Sequence, residues 1–437
     1  MDVAECGAVP VAGPARELSL RSNFAWAVTG NTIYAICQWG MVVALAKFGS
    51  TLMVGQFSLG LAIVTPVLML SNLDLRAVQA TDARRQYRFG EYLRFRLIST
   101  VLAIAAIAGI VWFGQYQRQT AAVIMAVALA KAIETLSDIH YGLFQLNNRL
   151  DHTGRSMILR GVLSVVALSG GLYVMHNLFG ACMGVALAWV AALLFFDVQH
   201  GRYLVARTEP QVDTEPEGFL RHGRLLLLAL PLGMVTTIAS VNLHMPRYFI
   251  HARMGEHQLG IFSAIAYATV SLTLVGDSLG NSAIPRLARL YAAGELKAYR
   301  ALLLRLLAVG CVVGLSGVVI VRYAGAWFLT VFYNADYAAY SRIFTLLTAA
   351  AAVHFAASML TAGITSARCF RIQVPLYLLV AGATAWGCAR WVPTMGLAGA
   401  AMGVFCGAVA RLLLAAAILG YPLLRGCHLK FSEAWGQ

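Results

Sequence analysis

Long apolar runs separated by short polar stretches fill the chain from about residue 23 to residue 418. A helix that crosses a bilayer needs about 20 mostly apolar residues. By that measure the runs predict twelve spans, over 23–46, 50–72, 97–115, 120–146, 157–176, 178–197, 224–250, 257–279, 302–322, 339–362, 373–391 and 395–418. The fourth and seventh are longer than a bilayer requires, which implies tilt or protrusion. A polar stretch at 198–223 divides the spans six and six. Within it, Arg207–Glu217 carries Glu209, Asp213, Glu215, Glu217 and two prolines without apolar periodicity, the pattern of a linker. The expected architecture is all-α and polytopic. A cytoplasmic tail (1–22) precedes an N-terminal six-helix bundle (23–200), a cytoplasmic linker (201–223), a C-terminal six-helix bundle (224–418) and a second cytoplasmic tail (419–437).

The halves also repeat in sequence. Gly55-Gln56-Phe57-Ser58 matches Gly260-Ile261-Phe262-Ser263, and Gly90-Glu91 matches Gly294-Glu295. Both matches fall at the second span of a half and the basic loop behind it. An even number of spans per half keeps both halves in one orientation. They are then related by an axis along the membrane normal, with a cavity expected between them.

Composition narrows the class. Hydrophobic residues are 59% and charged residues 12%, against about 45–50% and 25% in soluble domains. A soluble protein of 437 residues cannot hide that much apolar surface, and a disordered chain has the opposite composition. The net charge of +14 comes from arginines placed between spans, so it speaks for membrane orientation and not for nucleic acid. With the N-terminus inside, the inner segments collect Arg76, Arg84, Arg85, Arg88, Arg94, Arg96, Arg149, Arg155, Arg160 and their counterparts in the second half. The outer segments keep Lys47, Arg118, Arg253, Arg322 and Arg390. That bias, roughly five to one, puts both termini in the cytoplasm. Residues 1–20 lack the apolar core of a cleavable signal peptide. The eight cysteines form no CxxC, so neither a disulfide framework nor a metal site is implied.

Polar residues inside the spans supply the candidate chemistry. In the fourth span Lys131, Glu134, Asp138, Tyr141 and Gln145 recur every three or four residues, on one helical face. A charge at mid-membrane costs about 2.5–3.5 kcal/mol, so three facing lipid would cost on the order of 8–10 kcal/mol. The face must look at protein or water: either a Lys131–Glu134 pair docks the helix, or the stripe walls a hydrated cavity. The seventh span repeats the pattern with Thr237, Ser240, His244 and Arg247, and Pro246 is expected to kink it. In the first span Asn23, Asn31, Tyr34 and Gln38 share a face, where amides also serve as helix glue. The candidate cavity residues are therefore Lys131, Arg247, Arg342, Asn31, Gln38, Tyr34, Tyr141 and His244. Glu134, Asp138 and Asp277 are candidates for ion coupling. Arg411 is expected to reach the interface.

No GxxxxGK[ST] is present, no HExxH, GxSxG or GxGxxG sits in a suitable context, and no large outer domain holds paired carboxylates. The chain therefore reads as a secondary transporter with no catalytic residues and no cofactor. It resembles polysaccharide flippases of the multidrug/oligosaccharidyl-lipid/polysaccharide exporter (MOP) superfamily, of the O-antigen or exopolysaccharide repeat-unit (Wzx-type) branch. The matching stretches are Leu73–Asp82, Lys131–Gln145, Pro231–Phe249 and Asn281–Glu295. The resemblance implies two bundles around a basic cavity, alternating access, and an undecaprenyl-pyrophosphate-linked oligosaccharide as cargo, moved across the bacterial inner membrane for surface polysaccharide. It also implies membrane lipids, a polysaccharide polymerase and glycosyltransferases as partners. A cation-coupled small-molecule or drug antiporter on the same scaffold is the alternative. Its cavity should be dominated by unpaired acids.

Overall fold

The computed structural model describes residues 19–82, 85–208, 219–367 and 372–425. The described residues are helical almost throughout, in fourteen helices. The N-terminal half holds α1 (Leu20–Phe48), α2 (Thr51–Asn72), the short α3 (Leu75–Thr81), α4 (Phe89–Phe113), α5 (Arg118–Leu146), α6 (Leu150–Met175), α7 (Leu178–Ala192) and α8 (Val198–Thr208). The C-terminal half holds α9 (Phe219–Ala292), α10 (Leu296–Phe332), the short α11 (Ala335–Ala338), α12 (Ser341–Ser366), α13 (Gln373–Met395) and α14 (Leu397–Arg425). Nine of the helices are long and apolar enough to cross a membrane by length and composition.

Polar residues between the apolar runs start several helices. Ser50 Oγ accepts from Met53 N at 3.2 Å, and Asn177 Oδ1 accepts from Gly180 N at 2.6 Å. Each satisfies one of the donors a helix start leaves unpaired. Outward faces stay apolar: Leu97, Ile98, Val101 and Leu102 on α4, and Val312, Leu315, Val319 and Ile320 on α10, are exposed. Such ridges suit lipid and not water. In the N-terminal lobe α1 lies along α6, α6 packs on α7, and α2 and α4 flank α5. In the C-terminal lobe α12 packs on α9, α10 and α14, and α13 packs on α14.

Two boundaries differ from the sequence reading. The backbone dihedrals stay helical through Pro246, and the helix breaks instead at Gly255, at φ 79° and ψ −176°. A side chain is strained at that φ, whereas glycine adopts it freely. Pro246 removes one backbone donor within a helix that continues past it. Second, α7 does not end near 197. A π-turn at Leu193–Asp197 carries it into α8, so helix continues to Thr208. The remainder of the acidic stretch, 209–218, lies outside the described residues, as do both tail ends.

The sequence repeat proves to be a contact. A Cβ built on Gly55 would lie 1.8 Å from the carbonyl oxygen of Glu256, and one built on Gly260 would lie 1.8 Å from that of Thr51. The relation is reciprocal, as at any two-fold axis: α2 and the second arm of α9 cross where the two copies of the motif meet. Around that crossing the lobes share one apolar core, including Val54, Phe57, Leu61, Ile261, Phe262 and Phe344. Hydrogen bonds tie the same end. Trp39 Nε1 donates to Tyr333 Oη at 2.9 Å, Asn334 Nδ2 to Ala46 O at 2.8 Å, and Thr120 Oγ1 to Glu256 Oε1 at 2.7 Å. Tyr248 Oη donates to the Ala62 carbonyl. At the opposite end, Leu287, Tyr299, Leu303 and Leu376 form a cluster within the C-terminal lobe alone. The lobes meet there through the first arm of α9, whose Leu225 and Ala229 pack on Leu73, Leu75 and Tyr92.

Candidate substrate cavity

The stripe on α5 faces protein, and its charges find partners. Glu134 accepts from Lys131 Nζ at 2.7 Å and from Tyr34 Oη at 2.5 Å. Tyr141 is buried and shares a hydrogen bond of 2.8 Å with Ser156. Arg160, only 1% exposed, reaches Tyr141 Oη at 3.4 Å and lies 4.8 Å from the centre of the Trp189 ring, with Lys131 at 5.5 Å from that ring. Asp138 pairs with Arg76 and Arg96, each at 3.4 Å. A cation over an indole face and a cation against a carboxylate are both favourable, so the charges of this cluster are balanced within the lobe, although Arg96 and Arg160 keep unpartnered guanidinium nitrogens as Arg247 does. Lys131 and Gln38 line a void with Trp189, but its volume is about 20 Å³, room for a single water. Asn31 turns away and donates to Ala27 O of its own helix at 2.8 Å.

The large cavity, about 630 Å³, lies in the C-terminal lobe. That volume is within the range of small-molecule sites, about 300–1,000 Å³. Both arms of α9, α12, α13 and α14 wall it, and no residue of the N-terminal lobe lines it. The lining of this cavity belongs to the C-terminal lobe, and not to both bundles as expected for a shared vestibule; α2 and the second arm of α9 touch backbone to backbone where the two copies of the motif meet. Arg247 lines the cavity and is 6% exposed. Its guanidinium donates to His244 and sits 5.6 Å from the centre of the Tyr267 ring, while Nε has no partner. Among the described residues it has no carboxylate partner.

Farther along α9, Asp277 lines the same cavity with a half-exposed side chain. Its Oδ1 accepts from Ser358 Oγ at 2.6 Å and lies 3.5 Å from His354 Nε2. Arg411, 8% exposed, stands behind His354 at 3.2 Å and donates to Thr361 Oγ1 and Tyr377 Oη, each at 3.3 Å.

Several sequence assignments therefore move. Arg342 is exposed at the start of α12 and does not line the cavity. Arg411 does not reach an interface; it is buried against three side chains of the cavity wall. Arg96 and Arg160, counted with the basic loops, are buried inside the N-terminal lobe. Of the eight expected cavity residues, Arg247 alone lines the large space; Lys131 and Gln38 line the small one. The sequence pattern did not single out His354, Thr361 or Tyr377, nor Asp197, which is fully buried in the π-turn. The three-to-four spacing of His354, Ser358, Thr361 and Thr365 on α12 was the available signal.

No family model matches the chain. The capsular polysaccharide biosynthesis protein CapF of Staphylococcus aureus is 23% identical over 327 residues, 75% of this chain and 80% of that protein. Among solved structures, the lipid II flippase MurJ in an inward closed conformation superposes with a TM-score of 0.72 at 9% identity, over 92% of this chain and 90% of MurJ. A MATE-family multidrug resistance transporter of the MOP superfamily, in an inward-facing conformation, gives 0.70 at 13% identity, over 92% of this chain and 98% of that one. The fold is that of MurJ and of this MATE-family transporter, and the chain is a multi-pass membrane protein.

Proposed function

We propose that this MOP-fold protein is a flippase that moves polyprenyl-pyrophosphate-linked oligosaccharide repeat units across the bacterial inner membrane. The observation that carries the reading is Arg247: a buried cation facing a large cavity with no carboxylate to balance it. An uncompensated buried charge is costly, so it is retained for a ligand that completes it, and guanidinium suits pyrophosphate by charge and by its fork of donors. The hydroxyls and phosphates of such a headgroup cannot enter hydrocarbon without losing their hydrogen bonds. A polar cavity inside one lobe spares them that loss while the prenyl tail stays in lipid.

The arginine bias supports cytoplasmic termini. On that orientation the end sealed by the Gly55–Gly260 crossing faces outward, and the present conformation is closed to the outside. Alternating access then requires that crossing to open while the opposite end shuts. With the interior negative, outward transfer of each anionic charge gains about 2.3 kcal/mol per 100 mV. Glycosyltransferases that build the repeat unit and a polymerase that consumes it are the expected partners. A drug antiporter is the weaker reading, since Asp277 is the one carboxylate among the lining residues against Arg247 and Arg411.

The test is complementation of a deletion strain. Arg247→Gln should reach the membrane at normal level yet abolish surface polysaccharide, Arg247→Lys should restore part of it, and drug susceptibility should not change. Normal polysaccharide with Arg247→Gln would reject the reading.

A further inference from the structure

The two ends of the cavity differ in kind. Arg247 offers donors only, and its net charge is unbalanced. Tyr267, beside it, lies ten residues from Asp277 on one arm of α9, so the second polar group is displaced by roughly 15 Å along that helix. There the charges of Arg411 and Asp277 offset each other, and the exposed atoms alternate in role. Asp277 Oδ2 has no partner among the described residues and accepts; Tyr377 Oη accepts from Arg411 and keeps its own proton to donate. Gln373 gives its amide N–H to Thr365 Oγ1 at 3.0 Å, and its Oε1 has no partner among the described residues. Arg411, more than nine-tenths buried, keeps Nε unpartnered behind them. A sugar hydroxyl both donates and accepts, so it needs such a mixed set, whereas a phosphate needs donors alone.

We infer that Asp277, Tyr377, Gln373 and Arg411 form a saccharide subsite, distinct from a pyrophosphate subsite at Arg247, so that the headgroup lies lengthwise along α9. This rests on the flippase reading and adds the direction in which the cargo is held. Because the Asp277 end carries no net charge, it selects hydroxyl groups over a second acidic group. It also assigns Asp277 to sugar recognition in place of ion coupling.

Binding of two probes to the purified full-length protein in nanodiscs tests the division. One is farnesyl pyrophosphate, which has no sugar. The other is the lipid-linked oligosaccharide extracted from cells lacking this protein. Asp277→Asn and Tyr377→Phe should each weaken the oligosaccharide lipid about tenfold, the scale of one hydrogen bond to a charged or well-placed group, and leave farnesyl pyrophosphate unchanged. Arg247→Gln should weaken both. Equal losses for both probes in Asp277→Asn, or no loss for either, would overturn the subsite while leaving the flippase reading intact. If the unaltered protein binds neither probe, the flippase reading itself fails, and the subsite with it.

Discussion

In the N-terminal lobe Lys131 and Arg160 close around Glu134, Tyr34 and Tyr141, Trp189 covers both cations, and the space left is about 20 Å³. In the C-terminal lobe the space is about 630 Å³, and Arg247 ends on a histidine and a tyrosine ring. The lobes share a helix order and a motif, so the difference lies in how each completes its charges. Where buried charges find one another, they fix helices. Where they do not, the protein holds a place for something that arrives. The comparison separates stability from function residue by residue, and substitutions in the two lobes should part accordingly.

The contact on which both lobes depend should give the largest effect. Gly260→Leu puts a side chain where a Cβ alone would lie 1.8 Å from the Thr51 carbonyl oxygen. Backbone must move, at about 3 kcal/mol or more, the upper end of overpacking costs. Reciprocity predicts the same loss for Gly55→Leu, read as a lower thermal midpoint in detergent together with loss of polysaccharide export. Gly170, with nothing within 4 Å of a built Cβ, is the control: Gly170→Ala should leave both unchanged. Tolerance of leucine at either motif glycine would remove the axis contact from the account.

Next comes the filled lobe. Glu134→Ala strips Lys131 and Tyr34 of their shared acceptor, and with the side chain about one-quarter exposed the cost should be about 2–3 kcal/mol, below that of a fully buried pair. The matched substitution in the open lobe, Arg247→Gln, should change stability by less than about 1 kcal/mol, or raise it, because it removes a cation that nothing balances. Thermal midpoints of the two purified variants decide the matter. If Arg247→Gln destabilises as much as Glu134→Ala, Arg247 is a structural residue and the contrast between lobes is void.

How much of this was legible beforehand follows from what a sequence encodes. The apolar runs and the α5 stripe are one-dimensional patterns, and the described helices lie over them. Depth and partner are not one-dimensional. Arg96 and Arg160 sit near basic loops in sequence, yet the faces of α4 and α6 turn them inward to Asp138 and Tyr141. Arg411 reads as a residue near a helix end, and only α12 and α13, supplying His354, Thr361 and Tyr377, make it part of a cavity wall. The chain breaks at Gly255 and not at Pro246, because a proline removes one hydrogen bond within a helix that can continue. A reversal between two arms needs a φ that glycine alone takes without strain. The position of the cavity inside one lobe was illegible for a related reason: the motif repeat was visible, but not that its two copies occupy the axis.

The smallest expected effect concerns an arginine that sequence alone places beside the others. Arg342 is exposed at the start of α12, near the end of the molecule where Trp39, Tyr333 and Asn334 tie the lobes. An exposed cation at a helix end is hydrated or meets lipid headgroups, so Arg342→Ala should shift stability by no more than about 0.5 kcal/mol. Export should match the unaltered protein in the complementation assay that Arg247→Gln fails. Each variant removes one guanidinium, so net charge cannot separate them, whereas position against the cavity can. A loss of export with Arg342→Ala at unchanged stability would mean that the cargo meets this end as well, after the Gly55–Gly260 crossing opens. The open lobe would then be the first of two stations along the path.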